Sequence, residues 1–276
     1  MAVEAHDTSR SAMRSGAKVR REGGVGVALT FVSYLSLLVL WIVAARLLPN
    51  LIPGPVETLE FVAREYRRGV LLGHLWITTQ RVIVAFVVAM VAGVAIGAAM
   101  GASKRVDDLL QGWLVVLLTI PRILLFVVAY LTLGLSDTAL VVALIVTIIP
   151  TIVVAIREGA KAIDLALVDM ARAFRRSRTA IWRHVVFPQL LPFVLGTARG
   201  ALALSWKMVV LGELLGRTSG VGYQISFYFQ FFNMTGILAY GVTMMVLLAV
   251  VDLGLMGWLQ RAAFRWRAPA RTNALG

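Results

Sequence analysis

The chain has 276 residues, of which 59% are hydrophobic and only 15% are charged. Soluble domains are about 45–50% apolar and about 25% charged, so this composition excludes an ordinary soluble enzyme, and its hydrophobicity excludes a disordered chain. The sequence has no cysteine and only three histidines, which excludes a disulfide framework and a thiolate metal site.

The formal net charge is +13, which a nucleic-acid-binding protein or a membrane protein could both carry. Three uncharged stretches distinguish the two classes: residues 27–45, 82–103 and 138–156, of 19, 22 and 19 residues. A helix needs about 20 mostly apolar residues to cross a membrane. We therefore predict a polytopic membrane protein with basic cytoplasmic loops and no nucleic-acid partner.

The apolar pattern predicts an all-α membrane protein with six transmembrane helices. The predicted spans are residues 27–47, 77–101, 109–133, 138–157, 186–207 and 236–259. The segment 212–236 is rich in glycine and aromatic residues, which predicts a folded, partly re-entrant connection rather than another span.

The basic residues predict the orientation, because cytoplasmic loops carry an excess of Lys and Arg. With both termini inside, the inner segments hold 18 basic residues and the outer segments hold six. The predicted organisation is a flexible basic cytoplasmic tail, a first transmembrane helix followed by an external amphipathic helix, a transmembrane core, and a cytoplasmic C-terminal tail. These four parts cover residues 1–26, 27–74, 75–260 and 261–276.

Glycine recurs every fourth residue in the second predicted span, at Gly93, Gly97 and Gly101. This spacing places the three on one helix face and allows another helix to approach closely. The partner helix could belong to the same chain or to another subunit, and we favour packing within the chain.

Charged residues within or beside the later spans need a reason, because an intramembrane charge costs about 2.5–3.5 kcal/mol. Arg122, Arg199, Lys207 and Glu213 are candidate pathway residues, and the basic ones would favour an anionic solute. Alternatively, a basic residue could form an ion pair with Glu213 or Asp252 that holds helices together. We favour the ion pair for Arg199 and regard Arg122 as the better pathway candidate.

The segment 158–187 is too long for a simple connector and carries two predicted helical stretches around the basic turn 175–177. It could dock another protein or could be a solvated basic loop. The runs DMARAFRRS (169–177) and IWRHVVFP (181–188) resemble the EAA loop of binding-protein-dependent ABC importer permeases.

Four further stretches are similar to the nitrate/taurine/aliphatic-sulfonate type of permease. They are LIPGP (51–55), TQRV (79–82), GLSD (134–137) and ELLGRTSGVGY (213–223), of which the last is the most specific. The resemblance runs from about residue 40 to residue 267.

The resemblance implies half of a translocation pathway in an ATP-driven importer of the bacterial cytoplasmic (inner) membrane, carrying a small anion such as a sulfonate, nitrate or carboxylate. The implied partners are two ATPase subunits, a second permease copy (identical or a paralogue) and an external solute-binding protein. The residues implied to couple to the ATPase are Asp169, Ala171, Arg172, Phe174, Arg175, Arg176, Ser177 and Arg178.

ATP chemistry is not expected in this chain, because no G-x-x-x-x-G-K-[ST] phosphate loop occurs in the sequence. ATP and Mg would be bound by the separate ATPase. The alternatives are a secondary transporter, which normally shows inverted repeats, and a membrane-embedded enzyme, which needs a cluster of titratable residues. Neither feature is evident in the sequence.

The coupling loop departs from the family pattern at three positions. Asp169 replaces a Glu, Met170 replaces an Ala, and Arg175 replaces a Gly at the turn. A residue other than glycine loses about 1–2 kcal/mol in the left-handed conformation. Either the turn has a different shape, or a bond from Arg175 to a partner offsets the strain.

Overall fold

The computed structural model describes residues 29–49 and 51–256, and those residues contain helices and no strand. The predicted all-α fold is confirmed. The predicted tails, 1–26 and 261–276, lie outside the described residues. The described chain divides between Glu60 and Phe61 into two units, which are described separately.

The first unit contains the predicted N-terminal span as α1, Leu29–Leu47. Trp41 on α1 donates its Nε1–H to the carbonyl of Pro53, which follows α1 in the chain, at 3.1 Å. Helix α2, Pro55–Arg67, begins in this unit with proline at its first position, where the missing N–H costs nothing. It corresponds to the predicted amphipathic helix.

The second unit is a bundle of helices. In chain order these are α3 (Val70–Ala102), α4 (Lys104–Thr119), α5 (Arg122–Leu133), α6 (Asp137–Lys161), α7 (Leu165–Ala173), α8 (Arg178–Ile181), α9 (Phe187–Gly216), α10 (Val221–Gln230) and α11 (Met234–Val250). Two π-helical turns, Trp182–Val186 and Val251–Met256, precede α9 and follow α11.

Four helical segments of the described chain are long and apolar enough to cross a membrane. They are α1, α3, α6 and the continuous helix Arg178–Gly216. The bent pair α4 and α5 makes a fifth span if it is counted as one. Helix α11 is a shorter apolar helix of 17 residues, and six π-helical residues extend it.

The predicted third span, 109–133, is not one straight helix. Helices α4 and α5 are bent by 94° at Ile120-Pro121. Proline lacks an N–H and pushes the preceding residue out of the helical region, and Ile120 is extended with ψ 128°. Arg122 therefore begins a new helix instead of interrupting a span.

The predicted loop 158–187 is also shorter than expected. Helix α6 continues to Lys161, and the helix that carries the fifth span begins at Arg178. The connection predicted for 212–236 contains the end of α9 and the short helix α10, which packs against α9, α3 and α11.

The centre of the bundle is the contact between α3 and α6, which run parallel. Gly93, Gly97 and Gly101 face α6, and an added Cβ would lie 2.7 Å from Ile152 at Gly93 and 2.8 Å from the Val153 carbonyl at Gly97. At Gly101 it would meet Ala160. The glycine row thus allows a backbone approach that no larger residue permits.

Candidate functional site

The candidate coupling surface is α7, the turn after it and the start of α8. The Asp164 carboxylate caps α7 by accepting from the Ala166 N–H at 2.9 Å, and the Asp164 N–H donates to the Gln189 side chain on α9 at 2.9 Å. These bonds connect the start of α7 to α9.

Helix α7 ends in a Schellman motif with Arg175 in the left-handed conformation, at φ 55°. The Arg175 N–H donates to Arg172 O at 2.8 Å, and the Arg176 N–H donates to Ala171 O at 3.2 Å. This is the geometry in which glycine is preferred. The turn therefore keeps the shape of a glycine turn, and Arg175 bears its conformational cost.

The next helix starts immediately after this turn. The Ser177 hydroxyl accepts from the Ala180 N–H at 3.2 Å and so caps α8. Together with α7, α8 and the π turn form a groove of about 520 Å³, lined partly by Phe174, Arg176 and His184.

The implied coupling residues are mostly exposed. Phe174 exposes 74% of its surface and Asp169 forms a solvent-exposed ion pair with Arg172 at 3.0 Å. Arg175, Arg176, Ser177 and Arg178 are also exposed, whereas Ala171 is half-buried in the groove. The surface thus combines basic and large apolar side chains.

A second polar cluster, the Arg81 centre, lies at the opposite end of α6 from the coupling surface. Arg81 donates to the Glu213 carboxylate at 2.6 Å and to Asp137 at 2.5 Å. The Arg81 side chain is 5% exposed and the Glu213 side chain is 0% exposed. Arg81 also donates to the Ser219 carbonyl at 2.8 Å.

The Glu213 carboxylate has neutral donors as well as a charged one. The Thr78 hydroxyl and the Gly222 N–H each donate to it at 2.9 Å. Glycine is required around this group: at Gly220 a Cβ would clash with the carboxylate, and at Gly222 it would clash with Val210 O. The Arg81 centre therefore brings together three of the stretches that carry the family resemblance: 79–82, 134–137 and 213–223.

Glu213, one of the candidate pathway residues, has a completely buried side chain that is paired with Arg81. Arg81 was missed as a site residue because a basic residue inside a span gives no sign of its partner. Arg81, Asp137 and Glu213 all lie in stretches that resemble the family, but the contacts join residues 56 and 132 positions apart.

The other charged candidates have different surroundings. Arg122 is exposed at the start of α5 and takes part in no ion pair within the described residues. Arg199 pairs with Asp252 rather than with Glu213: its Nε and Nη2 lie 2.7 and 2.5 Å from the two carboxylate oxygens. Lys207 lies on α9, as Arg199 does, and it is exposed beside a small cavity.

At the coupling end, Asp107 on α4 accepts from two basic residues of α6. Arg157 Nη2 lies at 2.8 Å and Lys161 Nζ at 2.9 Å from Asp107 Oδ2. Arg157 was predicted to end the span 138–157, and Lys161 was predicted to lie in the segment 158–187. In the structure both residues lie on α6 and join its end to α4.

A family model described as "Binding-protein-dependent transport system inner membrane component" matches residues 89–265. The chain belongs to this family. The predicted resemblance to ABC importer permeases, including its nitrate/taurine/sulfonate type, is confirmed by curated relatives.

One relative, the putative aliphatic sulfonates transport permease protein SsuC of Escherichia coli (strain K12), is 29% identical over 217 residues, covering 79% of this chain and 82% of that protein. A probable ABC transporter permease protein of Brucella abortus (strain 2308) is 27% identical over 218 residues, covering 76% and 87%. The nitrate import permease protein NrtB of Synechococcus elongatus is 25% identical over 232 residues, covering 80% and 81%.

Among solved structures, the MetNI methionine ABC transporter in an inward-facing conformation matches with a TM-score of 0.61 and 20% sequence identity. The match covers 72% of this chain and 98% of that chain. At this identity the likeness shows the fold alone, which is that of an importer permease.

Proposed function

We propose that this chain forms half of the pathway of an ATP-driven importer for a small anion. A second permease copy would complete the pathway, two ATPase subunits would bind at the coupling surface, and a solute-binding protein would deliver the solute outside. ATP and Mg would bind to the ATPase subunits. The names of the relatives support the solute class: sulfonates for SsuC, nitrate for NrtB and bicarbonate for the permease CmpB of S. elongatus.

The observation that carries the proposal is the exposed coupling surface. Its glycine-type turn presents Arg172, Arg175, Arg176 and Arg178 together with the exposed Phe174. Charge-assisted hydrogen bonds to acidic groups of an ATPase would contribute about 1.5–3 kcal/mol each if they are partly buried in the complex. Closure of the ATPases would then pull on α7 and, through Asp164 and Gln189, on α9.

The inside position of this surface rests on the charge distribution. The excess of basic residues supports a cytoplasmic position for the coupling surface and both termini. Since the chain has no cysteine, Ser177→Cys supplies a unique thiol. An impermeant maleimide should label it in inside-out vesicles and not in intact cells; labelling in intact cells would contradict the orientation.

The coupling role is tested with a variant in which all four arginines of the surface are replaced by glutamine. We expect the ATPase that co-purifies with the wild-type chain from native membranes to dissociate, or to hydrolyse ATP without solute uptake. A matched control replaces Arg64 and Arg67 of α2 together with Arg68, which directly follows α2, and should retain the ATPase. Unchanged co-purification and uptake in the first variant would refute the proposal.

Arg175→Gly separates strain from contact. The substitution relieves the left-handed strain of about 1–2 kcal/mol. If the Arg175 side chain binds an ATPase carboxylate, docking weakens although the turn becomes more stable. If docking and uptake stay at the wild-type level, Arg175 only occupies the turn, and the remaining three arginines carry the contact.

Arg122 stays the candidate for a pathway cation. Its position after the bend at Pro121 and its lack of an ion pair among the described residues support this role. Arg122→Ala should reduce taurine or nitrate uptake while the ATPase remains bound, and Arg122→Lys should retain part of it. An equal loss of uptake and of folded protein for Arg122→Ala would instead indicate a structural role.

A further inference from the structure

A small cavity opens between α9 and the end of α11, apart from the Arg81 centre and the coupling surface. Its volume is about 100 Å³, and Arg199, Ala203, Trp206, Lys207 and Asp252 are among the residues that line it. A water molecule occupies about 30 Å³ of liquid, so the cavity holds about three waters or one oxyanion head group of similar size.

One cation on its wall has no partner. Lys207 is exposed and makes no hydrogen bond or ion pair within the described residues. Trp206 also lines the cavity, but its Nε1 is buried and does not reach the open space. A cation within a membrane span usually faces a partner or an aqueous path. An anion in the cavity would be such a partner for Lys207.

The second cation of the cavity, Arg199, is paired with a carboxylate of the chain itself. Both oxygens of Asp252 accept from Arg199, at 2.7 and 2.5 Å. Asp252 lies on the π-helical turn Val251–Met256, and π turns within helices are frequent at functional sites. Because Asp252 neutralises Arg199, the lining residues named here leave the cavity with one net positive charge, that of Lys207.

We propose that this cavity binds an oxyanion, either free or as the head group of a small organic molecule. Lys207 binds the anion, and Asp252 is the resident counter-ion that an entering anion displaces from Arg199. The site rests on the proposed function, because it gives an anionic solute its first binding position within this chain.

The site is tested by the charge preference of a thiol placed in it. Ala203→Cys introduces a single cysteine on the cavity wall, one helical turn from Lys207. Two small methanethiosulfonate reagents that differ in charge, the ethylsulfonate and the trimethylammonium form, are reacted with the full chain and its co-purified subunits in membrane vesicles. Leu214→Cys, exposed on the same helix but outside the cavity lining, is the control.

We expect the ratio of the reaction rate with the sulfonate reagent to that with the trimethylammonium reagent to be higher for Ala203→Cys than for Leu214→Cys. Adding Lys207→Gln should reduce this preference about tenfold, as expected for a unit charge one turn away in a partly aqueous site. Lys207→Arg should restore it, and Asp252→Asn should increase it. Nitrate or taurine should slow the sulfonate reaction at residue 203 and not at residue 214.

The proposal is overturned if the reagent preference at residue 203 equals that at residue 214, if Lys207→Gln leaves it unchanged, or if neither nitrate nor taurine protects the thiol. These measurements do not depend on ATP hydrolysis. Failure of this site therefore differs from failure of the proposed function, in which no ATPase would co-purify with the wild-type chain.

Discussion

The Arg81 centre makes a quantitative prediction about stability. Arg81→Met leaves the Glu213 carboxylate, whose side chain is 0% exposed, without its cation. Removing one partner of a buried pair costs about 3–5 kcal/mol. Since the Thr78 and Gly222 donors remain, we expect the lower end, about 3 kcal/mol.

The assay is thermal unfolding of the purified permease in detergent. At about 2–4 °C per kcal/mol, Arg81→Met should lower Tm by about 6–12 °C. Arg172→Met is the matched control, because its ion pair with Asp169 at 3.0 Å has both side chains more than two-thirds exposed. An exposed pair contributes about 0–1 kcal/mol, so the control should change Tm by less than about 4 °C.

The decisive variant combines Arg81→Met with Glu213→Gln. Glutamine has the shape of glutamate without its charge, so the double variant should recover about 1–3 kcal/mol relative to the sum of the two single losses. If the two losses simply add, Arg81 and Glu213 do not stabilise each other, and the assignment of this pair as a packing centre is wrong.

Two further contacts make separate predictions. Gly97→Leu should cost at least about 1–3 kcal/mol by forcing α3 away from α6, seen as a lower yield of monodisperse protein on size exclusion; Gly112→Leu, at an open position of α4, should behave like the wild type. Tyr240→Phe removes the 3.2 Å hydrogen bond to the buried Glu65 and should lower stability by about 1–3 kcal/mol in thermal unfolding, whereas Tyr66→Phe on exposed α2 should not.

Local sequence features predicted the all-α class and most of the spans, because uncharged runs of helical length have few other structures available in lipid. They did not predict the bend at Pro121, since apolar residues continue on both sides of it and hydropathy does not register a backbone break. The start of the fifth span was also misplaced, because basic residues such as Arg178 and Arg183 lower its hydropathy while the helix continues through them.

The site residues also divide into those that local sequence predicts and those that depend on contacts between distant helices. Arg175 could be recognised from the sequence because it replaces a family glycine. A turn of this kind depends on about four neighbouring residues, so local sequence is enough to predict it. The partners of Arg81 and Arg199 depend instead on how distant helices align. Arg199 was assigned two possible acids from its sequence position, and only the packing of α9 against the end of α11 places Asp252 beside it.

The parallel contact of α3 and α6 fixes the parity of the crossings between them. Gly93 meets Ile152 and Gly101 meets Ala160, so both helices travel in the same direction through the bundle. The chain from Ala102 to Asp137 must return to its starting level, which requires an odd number of passages. Legs of 16 and 12 residues, about 24 and 18 Å long, still span about 30 Å when bent at a right angle. The bent pair α4 and α5 thus counts as a single crossing. Because this crossing returns the chain to the level where α3 began, it determines the direction in which α6 and the later helices run.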